Sequence, residues 1–157
     1  MLLPNPSGGY WMNTDKPGGR VYFVGGGTTA SKGKSGTGIA ASDTNDGQDP
    51  NRPLATISQG ITLARAGAGD TICILPGNIE TTAVTTISKT DITITGIDSG
   101  SPIPASSLLR TGAFDALDVT AANVVIENLL FTASGSAQGT RINAGAAGLT
   151  VRNCVFE

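Results

Sequence analysis

Two stretches of the chain repeat one another 25 residues apart. Leu117-Asp118-Val119-Thr120-Ala121-Ala122-Asn123-Val124-Val125-Ile126-Glu127-Asn128-Leu129-Leu130-Phe131 lies over Ile142-Asn143-Ala144-Gly145-Ala146-Ala147-Gly148-Leu149-Thr150-Val151-Arg152-Asn153-Cys154-Val155-Phe156. Aliphatic residues meet aliphatic ones, Asn128 meets Asn153, and Phe131 meets Phe156. A fixed period of this length marks one structural unit stacked on the next.

Within each copy the apolar residues alternate, so every second side chain of a strand points to one face. The inward set is Ile92 and Ile94, then Val124 and Ile126, then Leu149 and Val151, which stacks into two aliphatic columns. Gly96, Asn128 and Asn153 end their runs at equivalent places. Gly and Asn adopt positive φ most readily, so these three form a candidate turn ladder in which the Asn amides hydrogen-bond along the stack. Glu127 and Arg152 share an outward position and form an opposite-charge pair between neighbouring strands.

Composition agrees with short strands and tight turns. Gly is abundant at 22 residues, aromatic residues are 4% and charged residues 14%, below the roughly 25% of an average chain. The formal net charge of -2 and the lack of any basic block point away from nucleic acid and anionic membrane. No run is long enough to span a bilayer. Met1-Leu2-Leu3-Pro4-Asn5-Pro6 has no basic or apolar leader, which predicts no signal peptide. Cys73 and Cys154 are expected to face opposite sides of their strands and remain free thiols, as in a reducing cytoplasm.

Residues 1–19 carry no period and read as an extended arm. Tyr10, Trp11 and Met12 are its one apolar cluster. They either pack on the edge of the domain or anchor the arm to a neighbouring protein, since aromatic residues and Met favour interface cores. Arg20 to Val24 reads as a strand, followed by a long polar loop. Asp43-Thr44-Asn45-Asp46-Gly47-Gln48-Asp49 has the look of a calcium loop, but an EF-hand needs Glu at the twelfth position and Leu54 stands there. The expectation is a plain turn and no metal ligand. Pro53 is expected to open a helix whose apolar stripe is Leu54, Ile57, Ile61 and Ala64, with Gly67 and Gly69 ending it.

This layout resembles the opening of the right-handed parallel β-helix, or pectate-lyase-like, superfamily. Val21-Tyr22-Phe23-Val24 resembles its first strand, and Asp43-Thr44-Asn45-Asp46-Gly47 through Pro53-Leu54-Ala55-Thr56-Ile57 resembles its polar loop and capping helix. Gly69-Asp70-Thr71-Ile72-Cys73-Ile74-Leu75-Pro76-Gly77 resembles its first full coil. The resemblance implies an all-β right-handed parallel β-helix, a short solenoid of about three or four coils with an N-terminal capping helix. It divides the chain into residues 1–19 as the arm, 20–69 as first strand, polar loop and capping helix, and 70–157 as coils.

A fold shared by lyases, hydrolases, adhesins and phage proteins does not fix function. Sugar-cleaving members need carboxylates converging on one sugar. Here Asp118 aligns with Asn143 and Glu127 with Arg152, and neither Asp115 nor Glu157, with Arg110 and Arg141 nearby, completes a recurring acidic pair. No catalytic or cofactor-binding residue is therefore nominated. The last coil, at Val155-Phe156-Glu157, reads as uncapped, so that either a longer helix continues or association covers it. The resulting expectation is a phage virion structural protein, assembled in the host cytoplasm. It would be a homotrimeric capsid decoration or cement protein whose partners are the major capsid protein or the tail. A tailspike or tail-fibre-like receptor-binding protein is the first alternative. A polysaccharide lyase or hydrolase of the same fold is the second.

Overall fold

A computed structural model describes residues 2–3, 12–13, 18–25, 40–76, 79–82, 84–97, 107–111, 117–134 and 142–156. These residues are mostly β, with three all-parallel sheets and one short helix among them. The first sheet joins β3 (Val21–Val24), β4 (Thr71–Ile74), β7 (Thr93–Gly96), β10 (Val125–Glu127) and β13 (Thr150–Arg152) in that order. The second joins β5 (Ile79–Thr82), β8 (Ser107–Thr111), β11 (Leu130–Ser134) and β14 (Val155–Phe156). The third joins β6 (Thr85–Ile87), β9 (Leu117–Val119) and β12 (Ile142–Ala144). From β4 to β14 successive strands fall on the first, second and third sheets in a repeating order, whereas β3 and β4 share the first sheet. Within residues 1–19, β1 (Leu2–Leu3) and β2 (Met12–Asn13) pair antiparallel.

Register follows the sequence echo. Val125, Ile126 and Glu127 oppose Thr150, Val151 and Arg152, and on the other side Thr93, Ile94 and Thr95. A one-residue slip would turn every aliphatic side chain outward, which is why the buried columns hold the register. One column runs Tyr22, Ile72, Ile94, Ile126, and its neighbour runs Val24, Ile74 on the same face. All six are buried, with Ile92, Val124, Leu117, Val119, Leu129 and Phe131 in the same core. Fully burying such a side chain contributes roughly 1.5–3 kcal/mol. Tyr22 is the one polar intruder among them, and its hydroxyl donates to the Leu63 carbonyl at 3.1 Å.

Helix α1 (Ile57–Leu63) is shorter than the apolar stripe suggests. Thr56 caps it, its hydroxyl accepting from Gln59 N–H at 3.1 Å. Leu54 is left outside because its backbone is engaged with β3: Leu54 N–H donates to Phe23 O and Gly25 N–H donates to Leu54 O. Ile57 and Ile61 are buried in the main core, so α1 covers the core beside the β3 edge. Gly67 and Gly69, both at positive φ, shape the turn that follows.

Candidate functional site

Several polar side chains on neighbouring parallel strands, or on the turns beside them, are paired with one another. Glu127 accepts from Arg152 Nε. Asn143 Nδ2 donates to Asp118 Oδ1 at 2.8 Å, and Asn153 Nδ2 donates to Asn128 Oδ1 at 2.6 Å. Asn128 Nδ2 in turn donates to Thr95 Oγ1 at 3.3 Å. Asn128 and Asn153 have φ of 58° and 50°, left-handed values that bend the chain from the first sheet into the second without a loop. Gly96 takes the same place one layer down but closes β7 within the strand and is not left-handed. The backbone there needs no positive φ, because Ile97 N–H continues the ladder to Ile74 O.

A second left-handed column stands at the entry to the same sheet and was not anticipated from the sequence. Asp91 and Asn123 both have φ of 58°, and Gly148 has φ of 78°. Asn123 Nδ2 reaches Asp91 Oδ1 at 3.4 Å. A Cβ on Gly148 would lie 2.5 Å from Asn123 Oδ1, so any side chain there would push the Asn123 amide aside as well as strain the positive φ. The signal available was Asp91, Asn123 and Gly148 at one offset before each alternating run, all residues that tolerate positive φ.

Ladder position 128 carries a direct test. Asn128→Ala is expected to cost about 1–2 kcal/mol, from left-handed strain and two lost amide bonds. Asn128→Gly, which keeps the φ, is expected to cost less than Asn128→Ala. Urea unfolding of the two variants beside wild type measures both, and equal losses would assign the whole effect to the amide.

Tyr10 and Trp11 lie outside the described residues, and Met12 is placed only as the backbone partner of Leu3. Asp115, Arg141 and Glu157 also lie outside them. The Asp43–Asp49 loop is occupied by its own backbone. Asp43 Oδ1 accepts from Ala55 and Thr56 N–H, each at 2.9 Å, and Oδ2 accepts from Thr56 Oγ1 at 3.0 Å. Asp46 accepts from Gln48 N–H at 3.1 Å and Asp49 from Asn51 N–H at 2.8 Å, both turns of the Asx kind. Among the described residues no group of three His, Cys, Asp or Glu side chains is placed to hold a metal ion.

Neither cysteine is activated. Cys73 is buried with Phe23 and Leu75 in a separate apolar cluster, and that burial pushes its thiol up to about 12. Burial likewise raises the Cys154 thiol, and both cysteines are free. Both therefore stay protonated thiols at neutral pH.

Among the described residues the one buried charged group is Asp70, fully enclosed at the start of β4. Its Oδ1 accepts from Arg20 N–H at 2.7 Å and Arg65 Nη2 at 2.8 Å. Its Oδ2 accepts from Arg65 N–H at 2.8 Å and Arg65 Nε at 3.2 Å. Arg65 Nη2 also donates to Gly18 O at 2.6 Å. The clamp thus ties the segment entering β3, the end of α1 and the start of β4. Burial, the largest single influence, pushes the Asp70 carboxyl up. The Arg65 side chain, the Arg20 and Arg65 amides and the Arg65 charge together outweigh it and hold the group below the usual carboxylate range. Every lone pair is thereby directed to a fold contact, so this carboxylate is structural.

Among the described residues no helix is long and apolar enough to cross a membrane. Compared with known proteins, the chain matches no family model, no curated protein and no solved structure.

Proposed function

We propose that the three parallel sheets are the faces of one right-handed parallel β-helix, covered on the β3 side by α1, and that the protein is a phage virion structural protein. In this reading it is a homotrimeric capsid decoration or cement protein, assembled with the shell in the host cytoplasm. The observation that carries the reading is the use of the outward polar groups. Glu127 with Arg152, Asp118 with Asn143, and Asn128 with Asn153 each bind the layer next to them. Such pairing stiffens a scaffold, whereas a catalytic carboxylate must face substrate. A rigid stack with a paired polar surface suits a part whose role is shape and attachment.

The test combines size and attachment. Sedimentation equilibrium is expected to show a species built from trimers. Co-sedimentation is expected with capsids of the phage whose genome encodes the chain, and immunogold labelling is expected over the head. Labelling at the tail would replace the cement role with the tailspike-like one. A monomer that binds no shell would defeat both. Release of unsaturated or reducing ends from an acidic polysaccharide would put the enzyme reading in their place.

A further inference from the structure

The segment that leads into β3 is held differently from β3 itself. Gly18, Gly19 and Arg20 are exposed, so the segment buries no side chain, whereas Tyr22, Phe23 and Val24 are buried. Hydrogen bonds hold it down instead. Arg20 N–H donates to Asp70 Oδ1 at 2.7 Å, Thr71 N–H donates to Arg20 O at 2.7 Å, and Arg65 Nη2 donates to Gly18 O at 2.6 Å. Gly19 is seated between these bonds, directly against Gly69. A Cβ on Gly19 would lie 2.3 Å from Gly69 O, and a backbone oxygen cannot swing aside as a side chain can. Polar contacts at the surface without apolar burial place a segment at the low end of local stability.

Opening there has a natural limit on each side. Phe23 is fixed by Gly47 O at 2.7 Å and Leu54 N–H at 2.9 Å as well as by its own burial, so a detachment that starts at Gly18 stops at half-buried Val21. On the other side, Asp70 keeps Arg65 N–H and Nη2, each at 2.8 Å, and Arg65 Nε at 3.2 Å when Arg20 leaves. The carboxylate stays paired with a charge, so opening strands no buried anion, the outcome that makes a buried ion pair hard to break. Water can replace Gly18 O on the Arg65 side chain, which is 43% exposed.

We propose that residues 18–20 are a strap poised to open as a unit, pivoting at Val21 while Tyr22, Phe23, Val24 and α1 stay in place. Closed, the strap helps enclose Asp70 and shortens the link to residues 1–17. Open, it adds up to about 10 Å to that link, the span of three extended residues. The Asp70–Arg65 pair is the keeper onto which the strap closes again. A contact made through residues 1–17 can therefore move by that distance without disturbing the core.

Native-state hydrogen exchange, followed by NMR in the full chain, reads the strap directly. The reporter is Thr71 N–H, bonded to the strap. The control is Leu75 N–H, bonded to Val24 O at 2.8 Å further along the same two segments. In wild type, Thr71 is expected to exchange by a route that low urea does not accelerate, because opening three exposed residues uncovers little surface. Leu75 exchange should rise with urea. That comparison needs no variant. Asp70→Asn gives the Arg20 amide a neutral acceptor and should speed Thr71 exchange roughly tenfold. Gly19→Ala leaves the Asp70–Arg65 pair intact and should speed it at least as much, since the added Cβ meets Gly69 O. In both variants the Thr71 rate should stay insensitive to low urea. A wild-type Thr71 urea dependence equal to that of Leu75, or unchanged Thr71 exchange in both folded variants, would overturn the strap.

Discussion

Asp70→Ala is expected to destabilise the protein by about 2–4 kcal/mol, mainly from amides that lose a charged acceptor, since the half-exposed Arg65 guanidinium can turn to water. Four hydrogen bonds end on this carboxylate, and they join β3, α1 and β4. Without it the Arg20 and Arg65 amides lose their acceptor inside the fold. Asp70→Asn separates charge from shape. Its carboxyl lies below the ordinary value of about 3.9 in the folded protein, so the sign is that of a depressed acid. The stabilisation is fully present above about pH 4 and is lost as pH falls through the folded value. The gap in unfolding free energy between wild type and Asp70→Asn should therefore narrow below about pH 4, as urea titrations at neutral and acid pH would show. A gap that stays constant with pH would mean that the charge is not what the clamp uses.

Phe131→Ala is expected to cost about 3–5 kcal/mol, as for other fully enclosed aromatic side chains. Phe131 is 0% exposed and sits one layer beneath Phe156, which is 49% exposed. The two rings are stacked and occupy equivalent places in the echo. Truncating Phe156 removes about half as much buried surface, so Phe156→Ala should cost at most about half as much as Phe131→Ala. Urea midpoints of the two variants give the comparison. Equal losses would mean that Phe156 is enclosed as fully as Phe131.

Much of the stacking was legible in the residues. The 25-residue offset placed Val125 against Thr150 and Glu127 against Arg152, because a period of two in the strand leaves one register that buries the aliphatic side chains. It also placed Asn128 beneath Asn153. The third sheet was less legible, since β6 places Thr85, a polar residue, at the buried position that Leu117 holds in β9. The helix start was misjudged for a tertiary reason. Leu54 fits the helical stripe, but its backbone is engaged by β3, and Asp43 fixes Ala55 and Thr56 ahead of the cap.

The sequence by itself determined the layers: alternation chose which face of each strand is buried, the repeat chose what lies over what, and Asn at the end of a run chose where the chain bends. Only the tertiary structure decided the contacts between segments with no common period. Asp70 reaches Arg20 across 50 residues, and a lone Asp before a strand carries no mark of that partner. It also decided exposure. Ile126 and Val151 are the same kind of residue in the same column, and one is buried while the other meets solvent. Burial depends on what covers a residue, and local pattern records only which way it points.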